Sequence, residues 1–206
     1  MTDEYNTITD TTGEGYYSEK RSRFLAFAHN VSSEEQVKTL LTTYRKRYHD
    51  ARHVCYAYML RQGPTAAPGQ EPAPYSRAND DGEPSSTAGK PILGQIVSRQ
   101  LTDILIVVVR YYGGINLGTG GLITAYRSAA ADALDHSTIV RRTAEREMTF
   151  TFPYTAMNDV MKVVKNLNPR IIEQTFDNTC RLRLAIRANL ATQLQARLAK
   201  TAARQQ

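Results

Sequence analysis

The stretch RYYGGINLGTGGLITAYRSAA, Arg110 to Ala130, places five glycines in the nine residues from Gly113 to Gly121. Before it runs DILIVVVRYY (Asp103 to Tyr112), whose length and β-branching predict a buried strand; after it, GLITAYRSAAADALDH (Gly121 to His136) is an alanine-rich helix. A strand that passes through glycines into a helix start turns backbone N–H groups and a positive dipole end toward an anion. No Lys follows the last glycine as a P-loop requires, and Gly118 to Gly121 match a GxGxxG pattern only loosely. These residues leave a tight turn and an anion cradle both open. The cradle would use Gly113, Gly114, Gly118, Thr119, Gly120 and Gly121 with Arg110 and Lys90 as cations.

Upstream, GYYSEKRSRFLAFAH (Gly15 to His29) predicts a hairpin turning at Lys20 to Arg23. SSEEQVKTLLTTYRKRY predicts a helix, with Ser32 or Ser33 as N-cap, acids in the first turn and bases in the last. HVCYAYML (His53 to Leu60) is a strand. Residues 61–79, with four prolines and two glycines, predict a mobile irregular loop that closes again near Tyr75. PILGQIVSR is a helix whose first turn tolerates Pro91, because the earliest amides lack intrahelical acceptors.

From Arg141 the pattern changes to strand (REMTFTFPY), helix (NDVMKVVKNL), strand (RIIEQTF), strand (CRLRLAIR) and helix (LATQLQARLAK). A first domain over 1–140 and a second over 141–206 follow, the latter a βαββα unit with one sheet face covered by helices and one open. Charge divides the same way. Residues 1–140 hold 14 Lys/Arg and 15 Asp/Glu, whereas 141–206 hold 12 and 5, so the +6 net charge comes from the second part. That asymmetry raises the expectation of a nucleic-acid partner. The longest aliphatic run, Ile104 to Val109, is far short of the roughly 20 residues of a membrane helix, and MTDEYNTITD is not signal-like. A cytoplasmic protein without membrane contact, a monomer, is expected. Two distant cysteines, Cys55 and Cys180, and four scattered histidines suggest no metal site, and no cofactor is expected.

Together DDGEPSSTAGKPIL (Asp80 to Leu93) and VVVRYYGGINLGTGGLITAY (Val107 to Tyr126) resemble the IMPACT family, including its bacterial YigZ-type members. KRSRF (Lys20 to Phe24) and DARHVCYAY (Asp50 to Tyr58) extend the resemblance over residues 15–135, and the βαββα part is similar to the C-terminal domain of the bacterial members. Ser86, Tyr112, Asn116 and Thr124 depart from the residues usual in the family, Gly, Phe, Lys and Arg, which weakens a basic reading of the loop. The resemblance implies an α+β protein of two domains. The first is similar to domain IV of elongation factor G and to GHMP kinases, the second a ferredoxin-like domain similar to domain V. That pairing points toward RNA or the ribosome and a non-enzymatic role in translation or its regulation, with a protein partner in translational control as a further possibility. Eukaryotic relatives compete for an activator of the kinase that phosphorylates initiation factor 2, using an accessory domain absent here.

Asp80, Asp81 and Glu83 could hold a hard cation, but acid before Gly-Glu-Pro is better read as a turn. Ser85, Ser86 and Thr87 have no evident base nearby and are expected to cap the following helix. A phosphotransferase, the alternative that the kinase likeness raises, would need Asp81, Lys90 and Arg110 to converge. A protein-binding adaptor would use residues 61–79 or the surface near Arg110. In CRLRLAIR, period-2 alternation sends Leu182, Leu184 and Ile186 to the helices and Arg181, Arg183 and Arg187 to the open face beside Thr149 and Thr151. Such a row, about 7 Å per i to i+2 step, suits phosphate oxygens, while its lack of aromatics argues against base stacking.

Overall fold

A computed structural model describes residues 3–61, 74–177 and 179–203. The chain runs β1 (Glu4–Ile8), β2 (Gly13–Glu19), β3 (Ser22–Asn30), α1 (Glu34–Arg47), β4 (His53–Leu60), β5 (Tyr75–Asn79), α2 (Gly89–Ser98), β6 (Ile104–Tyr111), α3 (Gly118–Asp135), β7 (Ile139–Thr143), β8 (Glu145–Pro153), α4 (Met157–Leu167), β9 (Arg170–Thr175), β10 (Thr179–Arg187) and α5 (Ala188–Ala203). It divides into two compact units, one of Asn6–Arg141 and one that joins Arg142–Gln206 to Met1–Tyr5. Both mix helix and strand. β1 and β7, on which the division falls, pair as a two-stranded sheet of their own.

The first unit is built on an antiparallel sheet of order β2-β3-β6-β4-β5. β6 lies at its centre and is buried on both faces, which is why its sequence is an unbroken apolar run rather than an alternation. Leu105, Val107 and Val109 pack with Val37 and Tyr44 of α1; Ile104, Ile106 and Val108 pack with Ile92 and Ile96 of α2 and with Leu122, Ala125 and Tyr126 of α3. The alanines of α3 let it lie directly on β2. A Cβ on Gly15 would come within 2.2 Å of the Ala133 backbone nitrogen.

Local chemistry sets the element ends. Ser33, rather than Ser32, caps α1, its Oγ accepting the Gln36 N–H at 3.3 Å while Gln36 Oε1 accepts the Ser32 N–H at 2.7 Å. The hairpin turn is tighter than the Lys20 to Arg23 expectation. Glu19 pairs with Ser22, leaving Lys20 (φ 46°) and Arg21 (φ 65°) as a two-residue turn in the left-handed region, the twist that suits adjacent strands. The loop expected over 61–79 gives way to edge strand β5 from Tyr75, which pairs with β4. The mobility expected of that loop falls on residues 62–73, which lie outside the described residues.

In the second unit β8, β10 and β9 form an antiparallel sheet in that order, the ferredoxin-like arrangement without its last strand. Phe152, Leu182, Leu184 and Ile186 pack with Val160 and Val164 of α4 and with Leu194 and Leu198 of α5. As the alternation of CRLRLAIR dictates, Arg181, Arg183 and Arg187 stand exposed on the other face.

Candidate functional site

In the first unit a pocket of about 740 Å³ opens where β4, the Glu83 turn and the C-terminal end of β6 meet the start of α3; Arg52, His53, Glu83, Arg110, Tyr112 and Asn116 line it with the first residues of α3. Its floor is a buried polar cluster. Arg110, 5% exposed, donates from Nη1 to Glu83 Oε1 at 2.5 Å, and the Tyr126 hydroxyl donates to the same oxygen at 2.7 Å. A guanidinium and a hydroxyl converging on one carboxylate offset much of the cost of taking these groups out of water. The Arg110 guanidinium carbon lies 5.5 Å from the ring centroids of both Phe24 and Tyr112, which fix its plane. Its Nε is buried without an acceptor. Arg110 thus lines the pocket as a guanidinium already paired with Glu83, its unpartnered Nε shut away from solvent.

His53 Nδ1 lies 2.7 Å from the Asp81 carbonyl oxygen. A carbonyl only accepts, so Nδ1 carries the proton, and Nε2 faces Glu83 Oε1, 3.8 Å away. Behind the floor, Cys55 Sγ lies 3.3 Å from the Tyr126 hydroxyl oxygen. Burial pushes the Cys55 thiol well above its usual range, outweighing that hydrogen bond, and nearby carboxylates add to the rise. Burial, with Cys55 and Glu83 beside it, also pushes Tyr126 up. Both are neutral groups at ordinary pH and unsuited to nucleophilic attack.

On the opposite wall is the N-terminus of α3. The helix begins at Gly118, so Gly118, Thr119 and Gly120, expected in the loop, form its first turn with Gly121. Leu117 supplies no side-chain cap and no acid lies in that turn, leaving the first amides and the dipole uncompensated. A Cβ on Gly118 or Gly120 would meet nothing within 4 Å, so this end stands open. Gly113 has a different task. Its N–H donates to Ser22 Oγ at 3.1 Å, and a Cβ there would sit 2.1 Å from the Arg21 carbonyl carbon, so it seats the loop on the β2–β3 turn. Gly114, at φ +84°, makes the turn itself.

Lys90 lies apart from this set. It lines a separate groove of about 460 Å³ with Ser86 and Arg127. The expected anion site thus resolves into Arg110, Gly118 and Thr119 in one pocket and Lys90 in another. Sequence reasoning missed Arg52, His53 and Glu83 as partners of Arg110. The only signal was that Arg52 and His53 fall within DARHVCYAY.

The acidic turn is structural. Asp80 accepts the N–H groups of Ser86 (2.8 Å), Ala88 (3.0 Å) and Gly89 (2.8 Å), so it caps α2. That corrects the expectation that Ser85, Ser86 or Thr87 would do so; Thr87 instead donates to the Pro84 carbonyl. Burial opposes the Asp80 charge, but the three amides, with Lys90 nearby, win and hold its pKa below the usual value. Asp81 accepts the Val54 N–H at 2.7 Å and pairs with Arg45 at 3.1 Å. Among the described residues no group of three or more His, Cys, Asp or Glu could hold a metal ion. Of Asp81, Lys90 and Arg110, which a phosphotransferase would bring together, Arg110 and Lys90 line different pockets among the described residues and Asp81 lines neither of those two.

Residues 20–134, which carry the whole of this pocket, match the Impact N-terminal domain. The chain belongs to the IMPACT family. IMPACT family member YigZ of Escherichia coli K12 is 34% identical over 180 residues, covering 87% of this chain and 85% of that protein. Member YvyE of Bacillus subtilis 168 is 35% identical over 160 residues, covering 78% and 69%. A crystal structure described only as that of a hypothetical protein superposes with a TM-score of 0.70 at 30% identity, covering 97% of this chain and 93% of that one. Yih1, described as a two-domain translational regulator, is 25% identical over 66% of this chain and 51% of its own, but its TM-score of 0.40 is too low to carry an argument.

The second unit of this IMPACT-family chain departs from a plain basic row. Across the sheet Arg181 lies between Thr151 and Thr175, and Arg183 between Thr149 and Glu173, while Arg187 pairs with Glu145 in register. Arg183 is held by Glu147 at 2.7 Å and Arg170 by Glu145 at 2.5 Å. Acids therefore interleave the arginines. Among the described residues Arg181 and Arg187 carry no ion pair, whereas Arg183 does. Among the described residues no helix is long and apolar enough to cross a membrane.

Proposed function

We propose that this protein is a non-enzymatic factor of translational control that contacts RNA or the ribosome, and that the pocket at the start of α3 takes an RNA phosphate. Arg110 carries the reading: a nine-tenths-buried guanidinium, packed against two rings, lines a pocket that the uncapped start of α3 also lines. Such amides, the dipole and a preoriented arginine are the elements of an anion site. Arg52 adds an exposed cation at the rim, and Tyr112, 47% exposed, offers an aromatic face of the kind on which bases stack. Arg181 and Arg187 add a second, sequence-independent phosphate contact. The likeness to elongation factor G domains that the sequence resemblance implies supports the ribosome as the setting. Titration of labelled RNA against protein at rising salt tests this. Arg52→Glu is expected to weaken binding about tenfold or more and to reduce the slope of log K against log salt by about 1; binding equal to wild type at every salt would overturn the pocket as the contact.

A further inference from the structure

The pocket has two chemical poles. One is made of donors: the amides of Gly118 and Thr119, Arg52 and the Arg110 guanidinium that lines the wall. The other is an acceptor pole at His53 Nε2 beside Glu83. Because the Asp81 carbonyl accepts from Nδ1, Nε2 is the ring nitrogen that His53 leaves for a ligand in the pocket it lines. A bare phosphate satisfies the first pole and repels the second. The ligand that satisfies both carries an anionic group with a hydroxyl donor next to it. A volume of about 740 Å³ has room for one nucleotide.

Resting on the reading of the pocket as an RNA phosphate site, we infer that it takes one ribonucleotide: phosphate on the α3 amides and Arg52, base against Tyr112, and ribose 2′-hydroxyl donating to His53 Nε2. DNA lacks that donor, and a 2′-O-methyl group cannot replace it. The pocket then selects RNA over DNA by the sugar, independent of base sequence.

The test is fluorescence anisotropy with labelled oligouridine, the matching oligodeoxyuridine and 2′-O-methyl oligouridine, using the full chain. Wild type is expected to bind the RNA about fivefold to tenfold more tightly than either analogue, the worth of one hydrogen bond. His53→Phe is expected to lower RNA affinity to the level of DNA and leave DNA binding unchanged. Should that variant misfold, the 2′-O-methyl comparison on wild type still decides. Asn116→Glu, at the exposed rim, places a carboxylate beside the phosphate position and is expected to weaken all three oligomers. Equal wild-type affinity for the three, with Asn116→Glu weakening each, would overturn the 2′-hydroxyl contact and keep the phosphate site. Indifference of all three to Asn116→Glu would overturn both.

Discussion

Asp80 and Glu83 stand three residues apart in one turn and meet opposite fates. Asp80 faces the start of α2 and accepts three amides, whereas Glu83 turns under the sheet to Arg110 and Tyr126. The turn role of the first was legible, since Asp ahead of a helix has few better partners than its amides. The role of the second was not, because its partners are 27 and 43 residues away. The folded-state pKa of Asp80 is depressed from 3.8, so its contribution to stability is present above the unfolded value and is lost as pH falls through the lower folded one. Asp80→Asn is expected to cost about 1–2 kcal/mol near neutrality, with the gap to wild type narrowing on acidification below about pH 4. Thermal unfolding across that range checks it, and a gap that does not narrow would contradict the capping role of the charge.

At the scale of elements, most of the fold was legible because the signals were local. The apolar run of β6, the capped and charge-graded α1 and the alternation of β10 each specify their own burial. What was missed depends on the rest of the fold. Glycine is a poor helix former, so the sequence starts α3 at Gly121, while packing of Leu122, Ala125 and Tyr126 carries the helix back to Gly118. β5 follows proline-rich chain and exists as a strand because β4 offers it an edge. The β2–β3 turn is the element most open to improvement, since Lys20 and Arg21 hold left-handed backbone that a side chain disfavours. Arg21→Gly is expected to stabilise the first unit by about 0.5–1 kcal/mol, read from the midpoint of urea unfolding. A lower midpoint would mean that the Arg21 side chain holds the turn.

Over the whole molecule, composition placed the division near Arg141 but not the return of the N-terminus to the second unit, where Asp3 O accepts the Ala144 N–H at 2.6 Å and Asp3 Oδ1 the Asn189 N–H at 3.1 Å. Backbone contacts of that kind leave little mark on sequence. The charge asymmetry was legible as a total, but not the acids that answer Arg170 and Arg183 across the sheet, because register decides which charges meet. The first unit, near neutral in sum, places Arg52 and Arg110 at one pocket, while the second carries the net positive charge, which under the proposed function would attract a polyanion at longer range. Sedimentation of wild type and Arg52→Glu through a ribosome gradient, at low and moderate salt and with and without nuclease, tests this most directly. Wild type is predicted to travel with ribosomes at low salt and to leave them with salt or nuclease, while Arg52→Glu stays near the top. Wild type remaining at the top at low salt, or both proteins travelling alike, would contradict the account.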